Sequence, residues 1–364
     1  MQTHSQQLRK VVPRIHAERY LLLNILCFAF TVSITRLFLE ISGYPQIGNS
    51  ELHIAHVLWG GLLLFVGALI AIIFANRWAL DWSAAFSGVG MGLFIDEVGK
   101  FITQNNDYFY PAAAPIIYAF LLLALLLFEV VRKFNKDESR SVLYGILETL
   151  QEVLDSDLST QERDQILQKL SALKEENQIP AYLVLIEGLQ KILCKEKLLL
   201  VPHQPDFFER SVLRVQEWEN KLLSRKTFRA VLILGAVLWG FYAIAYPLLS
   251  LHFSLHRVPL PKIVQQLVNN QLLTDFGIQG LLYFRVYSEV SVGIVLLFAA
   301  ILFLLKKDKV AVLIAVAALL FSLGVVYLLV FYYDQLSALL YVFVQLLLFL
   351  GFIRYRLRFL QSST

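Results

Sequence analysis

Three polar stretches interrupt otherwise apolar runs of this chain, and they hold the residue types that do chemistry. His53 and His56 are three residues apart, so on a helix their imidazoles share a face. Asp96, Glu97 and Lys100 lie about a turn from one another in a second run, and Arg36 and Glu40 are four apart near the end of a third. Imidazole nitrogens and carboxylate oxygens are preferred donors for zinc and similar divalent metals, so His53, His56, Asp96 and Glu97 form a candidate metal set. A metal with an open position would acidify a bound water, and Asp96 or Glu97 would serve as the catalytic carboxylate in hydrolysis of a lipid or lipid-linked substrate. The same groups suit a different chemistry, the binding and relay of protons or other ions in a transporter or channel. A third reading needs no chemistry. Arg36 pairs Glu40, Lys100 pairs Glu97, Asp96 bonds a histidine, and the set locks three helices together, because two cations stand against three carboxylates.

The elements that position these groups follow from hydrophobic patterning. Of the 364 residues 57% are hydrophobic and 16% charged, with a mean hydropathy of +0.62. Soluble domains hold roughly half apolar and a quarter charged residues, so an all-α polytopic membrane protein is expected. Crossing about 30 Å of hydrocarbon takes about 20 apolar helical residues. Eight stretches qualify: Tyr20 to Glu40, His53 to Ala75, Trp82 to Thr103, Tyr110 to Val131, Phe228 to Leu251, Ser288 to Leu305, Val310 to Tyr332 and Leu336 to Ile353. The first follows a basic flank without an A-x-A-like cleavage site and is expected to be retained.

Lys and Arg alternate between connections, and the rich side is expected to be cytoplasmic. That side carries the basic segment 1–19, Arg77, Arg132, Lys133, Arg225, Lys226, Arg229, Lys306, Lys307, Lys309 and the basic tail 354–364. The loops Ile41 to Leu52, Gln104 to Phe109 and Tyr333 to Gln335 contain none. The expectation is a bacterial plasma-membrane protein with both termini inside and the polar groups in the outer leaflet of spans 1 to 4, residues 20–131. The net charge of +4 is lodged beside the spans, which argues against nucleic acid as a partner. The two cysteines, Cys27 and Cys194, fall in dissimilar surroundings and predict no disulfide.

Residues 132–227 have helical periodicity without spanning hydrophobicity and predict a helical cytoplasmic insert, a surface for a protein partner. Leu143, Ile146, Leu147, Leu150 and Leu154 form one stripe, Ser159 and Glu162 a capping box, and Pro180 suits a helix start. A fourth helix is expected from Phe207 to Leu223. In the half made of residues 228–353, the external segment 258–286 contains an amphipathic helix at Pro261 to Phe276, suited to the membrane interface. Glu289 and Asp334 read as span-end residues that snorkel or cap, and Tyr108, Tyr332 and Tyr333 as interface anchors.

Gly88 and Gly92 form a G-x-x-x-G pair, expected to meet Gly60, Gly61 and Gly67 of the second span and to carry Asp96 into that interface. The stretches HIAHVLWGG and GVGMGLFIDEVGKFIT, within Glu51 to Thr103, resemble a group of uncharacterised bacterial integral membrane proteins with a His-rich helix entry, a WG pair and a Gly-rich helix ending in D-E. The resemblance implies a membrane fold and a shared polar site, and names no reaction.

Overall fold

The computed structural model describes residues 12–43, 56–108, 110–133, 139–154, 158–176, 179–194, 200–202, 210, 214, 217, 219, 221, 224–257, 275–335 and 338–360. The chain divides into two compact units, each discontinuous in sequence. The first comprises Met1–Phe28, Gly61–Met91 and Ala124–Leu213, and the second Ala29–Gly60, Gly92–Leu123 and Arg214–Thr364. Fourteen α-helices are described: α1 (Ala17–Ser42), α2 (His56–Ile73), α3 (Arg77–Asp96), α4 (Val98–Ile102), α5 (Ala113–Arg132), α6 (Ser139–Thr149), α7 (Gln151–Leu154), α8 (Thr160–Glu176), α9 (Pro180–Leu193), α10 (Arg225–Arg257), α11 (Asp275–Leu304), α12 (Asp308–Phe321), α13 (Tyr327–Asp334) and α14 (Ala338–Phe359). A π-helical segment, Ser322–Val326, joins α12 to α13, and no strand occurs among the described residues.

The protein is all-α and polytopic. Seven helical stretches among the described residues are long and apolar enough to cross a bilayer: α1, α2, α5, Arg225–Leu251 of α10, Gly280–Leu304 of α11, Asp308–Asp334, and α14. Their large apolar side chains remain widely exposed, Phe30, Leu58, Leu123, Leu238 and Leu340 among them, as a hydrocarbon surround requires. The third expected span differs. It is a helix, α3, but Arg77, Asp81 and Asp96 within it and the polar Ser83 and Ser87 dilute its hydropathy, and it breaks at Glu97 before the short α4. Span 6 also differs from expectation: α11 begins at Asp275 rather than Ser288, so Glu289 lies inside the helix and not at its end. The predicted amphipathic helix Pro261 to Phe276 lies almost wholly outside the described residues.

Within the first unit the small residues of α3 do not pack as expected. A Cβ on Gly88 would meet the Asn24 carbonyl oxygen and, at 2.8 Å, the Cys27 Cβ, so Gly88 lets α3 approach α1 rather than α2. The α2 contact runs through Gly67, whose added Cβ would lie 3.1 Å from both the Ser83 oxygen and the Ser87 nitrogen. Gly61 has nothing within 4 Å of that position. The Asn24 side-chain amide donates to the Ala84 carbonyl and to Ser87 Oγ, both at 3.1 Å, and these bonds fix the rotation of α1 against α3. In such an apolar setting a buried amide is held where it finds acceptors.

The helices α6 to α9 have a hydrophobic core of their own, centred on Leu143, Ile146, Leu158, Ile166, Leu170, Ile186 and Leu193. The expected capping box forms: Ser159 N donates to Glu162 Oε2 at 3.0 Å, and Glu162 N donates to Ser159 Oγ at 3.2 Å. Pro180 opens α9. Leu147 and Leu154 depart from the predicted stripe, at 43% and 86% exposure, and the helix is interrupted between them at Leu150. The expected helix from Phe207 to Leu223 lies mostly outside the described residues.

In the second unit α10, α11, α12 and α14 pack around Leu296, Ala299, Phe303, Ala311, Ala315, Leu319 and Phe352. Gly240 and Gly293 face one another: a Cβ on Gly293 would lie 2.7 Å from the Gly240 carbonyl, and one on Gly240 3.0 Å from the Gly293 carbonyl. This close backbone approach is the small-residue contact that membrane helices use in place of a hydrophobic driving force. Asp308, in the first turn of α12, accepts from Tyr355 Oη at 2.8 Å and lies 3.4 Å from Arg229 Nε, so acid at a helix start and base from α10 close one end of the core.

Candidate functional site

The polar residues singled out above meet at one place in the second unit, at the ends of α1, α2 and α3. Asp96 is fully buried and closes α3; Glu97, 1% exposed, follows with φ −90° and ψ 11°, outside the helical basin. On a continuous helix, consecutive side chains point about 100° apart. The break at Glu97 lets these two carboxylates take opposite sides of one imidazole. His56 Nε2 is hydrogen-bonded to Asp96 Oδ2 at 3.0 Å, and His56 Nδ1 lies 3.0 Å from Glu97 Oε1.

Each carboxylate also has a permanent cation. Arg36 Nε donates to Asp96 Oδ1, and Arg36 Nη2 donates to the Asp96 backbone carbonyl at 2.7 Å. Lys100 Nζ donates to Glu97 Oε1 at 3.2 Å, one turn along. Tyr108 completes the cluster from the loop after α4. Its hydroxyl donates to Asp96 Oδ2 at 2.7 Å, and its ring lies beneath the Arg36 guanidinium at 4.2 Å, a cation–π contact. The loop reaches that far because residue 99 is glycine: an added Cβ would stand 2.7 Å from the Asp107 oxygen and 3.0 Å from the Tyr108 oxygen. Thr103 pins the turn, donating from Oγ1 to the Gly99 carbonyl at 2.8 Å and accepting from Asp107 N at 2.7 Å.

With His56 neutral the described charges balance, Arg36 and Lys100 against Asp96 and Glu97. A neutral imidazole has one N–H and one lone pair, whereas both ring nitrogens here face carboxylate oxygens. An added proton gives both a hydrogen to share, and the cluster then carries one positive charge. The two carboxylate side chains are buried, while those of His56 and Lys100 are each 24% exposed.

A second ion cluster lies elsewhere in the second unit. Arg285 donates from Nε to Glu289 Oε1 at 2.7 Å, from Nη1 to Asp334 Oδ1 at 3.1 Å, and from Nη2 to Asp334 Oδ2. It borders a cleft between α10, α11, α13 and α14.

The structure brings together His56, Asp96, Glu97, Lys100 and Arg36. Glu40 does not join them. It is exposed near the end of α1, while Arg36, on the buried face, turns to Asp96, which would otherwise be a buried charge without a cation. His53 lies outside the described residues. No group of three or more His, Cys, Asp or Glu side chains converges as a metal site among the described residues. The donor atoms of His56, Asp96 and Glu97 face one another and the flanking cations, and a divalent ion entering there would have to displace Arg36 or Lys100.

Tyr108, expected as an interface anchor, is a cluster member instead; its place two residues before the expected span start at Tyr110 carries no sign of the fold-back. Arg285 escaped notice, although its i, i+4 spacing to Glu289 in an apolar run was a usable signal. Glu289 and Asp334, expected to snorkel or cap, share Arg285. Comparison with family models, with curated proteins and with solved structures finds no match to this chain.

Proposed function

We propose that this chain is an ion-coupled transporter or channel in which the His56–Asp96–Glu97 unit takes up and releases protons. The observation that carries this reading is the imidazole held at 3.0 Å from a different buried carboxylate at each ring nitrogen. Imidazole is the side chain whose charge ordinarily changes between pH 5 and 8, and ionisable groups within spans default to such work. Arg36 and Lys100 pair with the two carboxylates and hold them in place; Tyr108 supplies a hydroxyl that donates to Asp96 in either state. Loss of the proton removes a donor from one side of His56, and the pairing at Asp96 and Glu97 must rearrange. In the orientation indicated by Lys and Arg, the unit faces the outside of a bacterial plasma membrane, and α6 to α9 lie in the cytoplasm, where they could meet a protein partner.

Proton flux into liposomes holding the purified protein, driven by a potassium diffusion potential and followed with a trapped pH dye, tests the reading. Wild-type protein is expected to raise flux above that of empty liposomes, and His56→Gln to remove most of the increase while remaining folded. Equal flux through the His56→Gln variant would exclude this role. Elemental analysis belongs beside it. One zinc per chain, lost in His56→Ala, would favour the metal-assisted hydrolase reading instead.

A further inference from the structure

The cleft beside Arg285 holds an unexplained oxygen. Gln345 is 1% exposed in the middle of α14, and its Nε2 donates to Ser322 Oγ at 2.8 Å, but its Oε1 has no hydrogen-bond partner. A buried amide carbonyl without a donor is costly, and such groups are nearly always satisfied by protein, water or an ion. Gln345 lines the cleft together with Ser322, Tyr242, Glu289 and Asp334, and Arg285 is the single described cation in the lining. The space amounts to about 370 Å3 counted with its open mouth, and its enclosed part accommodates a water-sized body.

From this arrangement we infer that the cleft binds a monovalent inorganic cation of sodium size, with Gln345 Oε1 as a ligand. The inference is independent of the proton role of His56, which belongs to other side chains. The lining offers amide, hydroxyl and carboxylate oxygens and no imidazole or thiol, a donor set that selects hard cations. Two carboxylates line the cleft against one guanidinium. A divalent ion there would be pressed against Arg285 with twice the repulsion that a monovalent ion meets. The backbone is irregular at this level. Ser322 begins the π-helical segment that joins α12 to α13, and Tyr118 Oη donates to the Leu323 carbonyl at 2.5 Å. Both π segments and broken membrane helices mark ligand and coupling-ion sites.

Thermal unfolding of the purified full chain in detergent tests the site, comparing sodium chloride with N-methylglucamine chloride at equal ionic strength. An ion that binds the folded state alone raises the unfolding temperature from about its dissociation constant upward, in step with the logarithm of its concentration. Wild-type protein is expected to show this rise with sodium and not with the organic cation. Gln345→Leu and Ser322→Ala are expected to need at least about tenfold more sodium for the same rise. Gln345→Leu keeps the volume and removes the unpaired oxygen, so it should be no less stable without sodium; should it fail to fold, Ser322→Ala carries the decision. The absence of a sodium-specific rise in the wild type would overturn the proposal and leave the cleft to a water. An unchanged sodium dependence in the folded variants would overturn it too, by placing sodium elsewhere.

Discussion

At the His56 cluster an acid stands at the centre: Asp96 accepts from Arg36, His56 and Tyr108, which come from three separate segments. In the Arg285 cluster the relation is reversed, with one guanidinium held between Glu289 and Asp334. Both are buried, and both join residues far apart in sequence. The central guanidinium keeps its charge at any accessible pH, so that cluster changes only at its carboxylates or by admitting another ion. Around Asp96 one of the three donors is an imidazole, which can lose its proton without moving away. Burial alone therefore does not decide whether an ion cluster is a lock or a switch. What differs is the chemistry of the members, an imidazole in one cluster and a central guanidinium in the other.

The largest effect expected from this contrast is at the lock. Arg285→Met should destabilise the protein by up to about 3–5 kcal/mol, since it leaves two partly buried carboxylates, 14% and 18% exposed, without their shared cation. Chemical unfolding in mixed micelles measures this, and a loss under about 1 kcal/mol would mean that Arg285 is not what holds Glu289 and Asp334.

An intermediate effect is expected at the support beneath the His56 cluster, which the Arg285 cluster has no need of because its three residues all stand on helices. Gly99→Ala forces a methyl against the Asp107 and Tyr108 carbonyls and should cost about 1–3 kcal/mol. It should also move Tyr108 off Asp96, raising the exchange of label into a cysteine placed at position 107. Unchanged labelling together with unchanged stability would remove the loop from the account.

The smallest effect separates the two roles of Tyr108. Tyr108→Phe retains the ring beneath Arg36 and deletes only the hydroxyl donated to Asp96, a hydrogen bond to a charged group worth about 1.5–3 kcal/mol at most. The same unfolding measurement should register a loss at or below the lower end of that range, because His56 and Arg36 still serve the carboxylate. A loss as large as that of Arg285→Met would show that Asp96 depends on Tyr108 and not on its cations.

The sequence by itself marked the membrane helices and some of the pairings one turn apart. Span length and apolar content pick out the spans, and spacings of three residues bring Lys100 to Glu97 and Glu162 to Ser159, because one helical turn sets such residues side by side. The four-residue spacing of Arg36 and Glu40 produced no pair, because Asp96 takes the guanidinium. The sequence also put His56 and Asp96 at one depth, since rise per residue is fixed. Only the tertiary structure decided which neighbours those residues meet. Spans that are apolar all round carry no signal for their own rotation, so nothing local told that Gly88 faces Cys27 instead of α2, or that Arg36 turns from Glu40 toward Asp96. The fold-back of Tyr108, the reach of Arg285 to Asp334 across 49 residues and the unpaired oxygen of Gln345 arise between segments remote in the chain. Their geometry is set by how whole helices pack, and in hydrocarbon that packing is chosen by a few small residues and polar contacts rather than by a broad hydrophobic pattern.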